Sequence, residues 1–180
     1  MTELRDLSLT SVFASLYVVI NVVQMLSFGG YTIYGPIQLR VADCLIALAA
    51  LLGWPIVIGV TIGAFLVNAY YFLGMVDVIL GPIANFIAAT LIFLLRRRQL
   101  LGCIIGALPI GLIVGGYLWT YPFLPPPAFA EFLPIWVASI LSITISSLIA
   151  IAVIGYGLLK ILSKPSIIGP LKAKGLKVFT

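Results

Sequence analysis

The chain has 180 residues, of which 63% are hydrophobic and only 8% charged, and its formal net charge is +5. A soluble domain carries about 25% charged residues, so this chain cannot cover itself against water; its long apolar runs place it in a bilayer. The positive balance therefore reads as membrane topology and not as a nucleic-acid surface. The absence of histidine removes the commonest metal ligand and the usual proton shuttle.

In chain order, the opening MTELRDLSLT mixes acidic and basic residues and leads to no small-residue cleavage site. The first apolar run, residues 7–28, is therefore expected to be a retained helix and not a signal peptide. Within it Ser11 and Ser15 lie four apart with Ala14 beside them. Small residues at that spacing let helices approach closely in lipid, so the stripe serves either packing within the chain or docking of another membrane protein. A flexible loop is expected over residues 27–34. The second helix, 36–53, starts at a proline, which suits a first turn. Its apolar part, residues 41–53, would rise only about 20 Å as an α-helix, against a hydrocarbon core of roughly 30 Å. Further helices follow at 55–73, 77–95, 100–119 and 133–162. They are separated by a Gly-Trp-Pro turn, a Gly-Met-Val turn, the basic loop RRRQ and the proline-rich stretch YPFLPPPAFAEF. Residues 163–180 are expected to be a mobile basic tail. The prediction is all-α: one integral membrane domain, residues 1–180, with about six transmembrane helices.

With six spans and both termini on one face, nine of the ten basic residues share that face and only Arg40 lies opposite. The positive-inside rule makes the basic face cytoplasmic and the protein multi-pass in the cell membrane. Five spans with the N-terminus outside satisfies the rule equally well, with Arg5 as the exception. An internal echo favours six: GPIQLRVADCLIAL from Gly35 and GPIANFIAATLIFL from Gly81 agree at seven of fourteen positions. If both begin helices on the same face, two crossings separate them.

Ionisable groups inside a span cost about 2.5–3.5 kcal/mol each at the helix centre and are usually functional. Arg40 and Asp43, at i and i+3, share a helix face. They either neutralise each other at a helix entrance or line a polar cavity with Gln38. Asn68 and Asn85 serve either as hydrogen-bonding glue between helices or as solute contacts. Asp77 reads as a helix N-cap, with solute contact as the alternative. The hydroxyls of the last helix, Ser139, Ser142, Thr144, Ser146 and Ser147, are expected mainly to bond their own backbone. Cys44 and Cys103 read as small buried hydrophobes and not as a disulfide. Tyr31, Tyr34, Tyr70, Tyr121 and Trp136 read chiefly as an interfacial aromatic belt, with stacking on a flat solute as the alternative.

No phosphate-cradling loop, carboxylate pair or Ser/His/Asp set is present, so the chain is read as no enzyme. No cofactor or metal is called for. No relay of ionisable groups runs from face to face, so the energy for transport would come from elsewhere. Three readings remain open: a solute-binding subunit, a membrane scaffold or assembly protein, and a self-sufficient facilitator.

The stretches YGPIQLRVADCLIALAALLGWP and VIGVTIGAFLVNAYYFLGMVDVILGPIANFIAATLIFLLRRR resemble the QueT-type family, substrate-binding S components of energy-coupling-factor (ECF) transporters. The likeness runs from the first helix to IGYGLLK. It implies a six-helix S component with a pocket toward the outer face, lidded by outer loops. The implied partners are a small-molecule substrate, a transmembrane coupling subunit and two cytoplasmic ATPases. The implied cargo is a queuosine precursor, a 7-deazaguanine. In the resemblance the small-residue stripe of helix one, here Ser11, Ala14 and Ser15, docks the coupling subunit. The polar residues weighed above, Gln38, Arg40, Asp43, Asn68, Asp77 and Asn85, are the expected substrate-binding set. Asp43 stands where the family usually has Glu, and Ser146-Ser147 where it often has Gly-Glu.

Overall fold

In hydrocarbon a backbone must satisfy its own polar groups, so long apolar runs become helices. The computed structural model describes residues 2–36, 38–173 and 175–179, with side chains at all of them except 2, 3, 31, 34 and 171. The described helices are α1 (Thr2–Phe28), α2 (Tyr31–Tyr34), α3 (Ala49–Leu52), α4 (Trp54–Tyr71), α5 (Met75–Leu94), α6 (Gln99–Leu118), α7 (Ile135–Ser147), α8 (Tyr156–Leu162) and α9 (Pro165–Ala173). A 3₁₀-helix, Val41–Leu48, leads into α3, and a π-helix, Leu148–Gly155, joins α7 to α8. Among the described residues there is no strand, and five helices are long and apolar enough to cross a membrane. The protein is an all-α polytopic membrane protein.

Close contacts fix the directions. A Cβ at Gly59 would lie 2.8 Å from the Thr10 carbonyl, and one at Gly63 would lie 2.7 Å from Tyr17 Cβ. Ascending α4 thus follows ascending α1, and the two helices are parallel. The chain must cross back between them, and the only segment available is 38–52. The same reasoning makes α5 antiparallel to α4, α6 to α5 and α7 to α6: Asn68 meets Asp77, Gly106 meets Ile92, and Gly115 meets Ile140.

The α-helix expected over 36–53 is corrected here. Residues 38–40 belong to no helix, with Arg40 in β geometry, 41–48 are 3₁₀ and only 49–52 are α-helical. The reason is reach. At roughly 2.0 Å per residue for 3₁₀ and 1.5 Å for α, residues 41–52 rise about 22 Å, and the non-helical residues 38–40 before them add at most about 10 Å. The sum matches a hydrocarbon core that twelve α-helical residues would not span. Apart from Asp43 this segment is hydrophobic all round, and Ala42–Leu52 are buried without a break, wrapped by the other helices. Its slim 3₁₀ cross-section packs against the wide π-helix, where a Cβ on Gly155 would lie 2.7 Å from the Cys44 carbonyl. Cys44 and Cys103 are both free and buried.

Residues 27–34 are not the open loop expected from the sequence: α1 runs to Phe28 and α2 occupies Tyr31–Tyr34. Beyond α8 lies the basic tail, residues 163–180. Its described residues form α9, with Ile168 buried, and then fold back across the bundle end. Phe179 donates its backbone N–H to Leu51 O (2.8 Å), satisfying a carbonyl that the end of α3 leaves unpaired. Its ring stands edge-on to Phe93, 5.2 Å between centroids, with Arg96 over both rings. Gly53 makes this seat: its φ of 72° and ψ of −141° suit glycine alone, and a Cβ there would lie 2.7 Å from the Phe179 ring. Gly53→Ala is expected to lower stability by about 1–3 kcal/mol, read as a lower midpoint of thermal unfolding in detergent.

Candidate functional site

Arg5, Arg96–Arg98, Lys160, Lys164 and Lys177 lie toward the end of the bundle that holds both chain ends. The buried polar groups collect toward the opposite end, in two linked sets. In the first, the Tyr17 hydroxyl donates to Asp43 Oδ1 (2.6 Å) and accepts from Asn85 Nδ2 (2.9 Å). In the second, Arg40 Nη1 donates to Asn68 Oδ1 (3.0 Å), Asn68 Nδ2 donates to Asp77 O (2.9 Å), and the Tyr117 hydroxyl donates to Asp77 Oδ1 (2.7 Å). Arg40 and Asp43 thus also reach separate partners, on α4 and α1.

Between these sets lies a void of about 20 Å³, lined by Gln38, Arg40, Asp43, Asn85 and Ser147 against Ile110, Val114 and Ile143. It is room for a water or so. Above it, a cavity of about 190 Å³ lies under the proline-rich segment, lined by Trp119, Tyr121, Pro122, Pro125–Pro127 and Ser139. Gln38 lines both spaces and stands between them. The proline-rich roof is clasped to the first loop: Ala128 N–H donates to Pro36 O (2.9 Å), and so does Ser142 Oγ (2.7 Å).

The model of the QueT transporter family matches residues 7–164. The chain belongs to that family. This QueT chain is thus a transport protein and not an enzyme. No curated protein and no solved structure matches it.

The six polar positions singled out in the QueT chain are brought together, but not equally. Gln38, Arg40, Asp43 and Asn85 face the void, whereas Asn68 and Asp77 stand behind Arg40 as its support. Asp77 is not an N-cap: Gly74 holds that position, and Asp77 is the third residue of α5, in its first turn, with its carboxylate held by Tyr117. Its second oxygen, Oδ2, is buried with no hydrogen-bond partner among the described residues. Of the last-helix hydroxyls, Thr144 and Ser146 bond the i−4 carbonyl as expected, while Ser142 clasps the first loop.

Of the aromatic candidates, Tyr121 lines the upper cavity, Tyr70 and Trp136 are exposed on the surface, and the side chains of Tyr31 and Tyr34 lie outside the described ones. On α1, Ser11 and Ser15 face outward in a shallow groove with Val12, Leu16 and Val19. Ala14 is not part of that face. It is buried against Gly59 and Gly63, where the small side chain lets α1 and α4 touch backbone to backbone.

Two residues bonded to this polar cluster were not singled out from sequence, Tyr17 and Gln24. Both are buried on the inner face of α1. The signal was present as a polar stripe at helical spacing, Tyr17, Asn21 and Gln24, within an otherwise apolar helix.

Proposed function

We propose that this protein is the substrate-binding S component of an ECF-type importer and that its solute is a queuosine precursor of the 7-deazaguanine class. The observation that carries the reading is the convergence of Gln38, Arg40, Asp43 and Asn85, drawn from two separate segments, on one void with apolar walls. Polar groups buried at such cost inside a membrane protein are retained where they do work. Asp43 keeps acceptor capacity beyond its bond from Tyr17, since a carboxylate offers about four lone-pair sites. It suits the ring N–H and exocyclic amine of a deazaguanine, and the Arg40 fork suits the ring carbonyl. The upper cavity, flanked by Tyr121, Trp119 and prolines, suits the flat ring. At about 190 Å³ it is smaller than the roughly 300–1,000 Å³ of drug-sized pockets, which favours a small solute. In this reading Gln38 swings aside so that the polar edge of the ring reaches Asp43.

The basic end is cytoplasmic, which puts both termini inside and the site at the outer face of the cell membrane. Energy comes from a transmembrane coupling subunit with two cytoplasmic ATPases, docked along the Ser11–Ser15 face of α1. The test is binding and uptake. The detergent-purified protein is expected to bind 7-deazaguanine saturably and to reject 7-deazaadenine, which presents the wrong hydrogen-bonding edge to Asp43, by a factor on the order of 10⁴. Liposomes holding this chain alone should not accumulate 7-deazaguanine; those that also hold the coupling subunit and ATPases, with ATP, should. Uptake by the chain alone would overturn the S-component reading.

A further inference from the structure

Gln38 and Arg40 lie on a non-helical strap, 38–40, with Arg40 in β geometry, and among the described residues there is no strand for it to pair with. In extended backbone, successive side chains point to opposite sides. Gln38 and Arg40 accordingly share one side, where both line the void, while Leu39 packs on the apolar core. Such a strap needs partners for its backbone groups, because an unpaired amide in an apolar setting is costly.

The partner is a side chain of α1. Gln24 Nε2 donates to Leu39 O (2.6 Å), and Gln24 Oε1 accepts from Val41 N–H (2.9 Å). These are the carbonyl before Arg40 and the amide after it, the two groups that a residue in a parallel β-ladder would engage. One carboxamide thus takes the place of a missing strand. Arg40, with φ −87° and ψ 104°, is held in β geometry between the two bonds. Thr32 Oγ1 accepts a further bond from Gln24 Nε2 (3.0 Å). The Leu39 carbonyl and the Val41 amide fix which way round the Gln24 amide sits, since the flipped form would set oxygen against Leu39 O.

We propose that Gln24 is a positioning residue for solute binding, acting through the backbone of Arg40 and through no contact of its own with the solute. This rests on the reading of the strap as a wall of the solute site. The structure also divides the labour. Arg40 depends on the Gln24 clamp, whereas Asp43 is held by Tyr17, three residues beyond the strap on the 3₁₀-helix. Loss of the clamp should therefore remove the contribution of one residue and spare that of the other.

The test measures equilibrium binding of 7-deazaguanine by the full-length protein in detergent. Gln24→Met keeps the length of the side chain and deletes both bonds; Gln24→Glu keeps the shape and replaces the donor with an acceptor. Either is expected to weaken binding by about tenfold or more through lost preorganisation. In either background, Arg40→Ala should cost no more than about threefold, while Asp43→Ala retains its full effect, as non-additivity within one coupled pair requires. Faster hydrogen exchange at the Val41 amide gives a second readout independent of affinity. Parent-like affinity in both Gln24 variants, or equal erosion of the Arg40 and Asp43 contributions, overturns the proposal, the latter because it marks general loosening. If Arg40→Ala binds normally in the parent protein, the strap is not a wall of the site, and both readings fall. If Arg40→Ala weakens binding and the Gln24 variants do not, only the role of Gln24 falls.

Discussion

Asp43→Ala is expected to weaken 7-deazaguanine binding by at least about 100-fold, because the solute's buried donors then meet no acceptor. The loss is to be read by calorimetric titration of the purified protein. The same substitution strips the acceptor from the fully buried Tyr17 hydroxyl, so a stability cost of about 1–3 kcal/mol should accompany it. Asp43→Asn separates the two effects. Its amide oxygen still accepts from Tyr17, so the unfolding midpoint should stay near that of the parent. The charge and one acceptor oxygen are gone, so binding should still fall steeply. If both variants bind normally, the void beside Asp43 is a packing defect and not a solute site.

The second large effect is expected outside the bundle. Of the five long helices, α1 is the least buried, and its outer face carries the groove formed by Ser11, Val12, Ser15, Leu16 and Val19. Ser11→Leu with Ser15→Leu fills that groove with branched side chains where a partner helix would approach. Recovery of the coupling subunit in co-purification should drop by about tenfold or more, with 7-deazaguanine affinity unchanged. Association that survives the double substitution, or affinity lost without loss of association, would place the partner elsewhere. Ala14→Leu gives the contrast. It points inward at Gly59 and Gly63, so it should destabilise the fold and not act selectively on docking.

Much of this arrangement was legible in the residues, for identifiable reasons. The five long spans follow from apolar runs that only a helix can carry through lipid. Gln38, Arg40 and Asp43 stood out because polar side chains are rare in this chain's apolar runs, and the proline-rich segment announced the break between two helices, though it winds through a series of turns and is not extended throughout. What escaped was geometry set by neighbours. A run such as VADCLIALAALL does not say whether it winds as α or 3₁₀; the distance it must bridge between two parallel helices decides. Tyr17 escaped because tyrosine in a membrane helix reads first as an interfacial residue, and only its level beside Asp43 and Asn85 gives it a task. Asp77 was misread because its position after a glycine turn suits a cap, whereas Tyr117, forty residues away, draws the carboxylate inward. The tail escaped because its seat is built from Gly53, Phe93 and Arg96, which the sequence scatters.

The short return segment has a consequence for biogenesis. A nascent chain reaching only to Gly53 would present one segment that the insertion machinery can accept as a full-length helix and one that is too short to satisfy it alone. Its 3₁₀ winding gains its shelter from α4, α5 and the π-helix, all of which are synthesised afterwards. Full burial of this segment is therefore expected only once later helices have joined α1 around it, and the polar pocket beside Asp43, which needs Asn85 and Ser147, is completed after that.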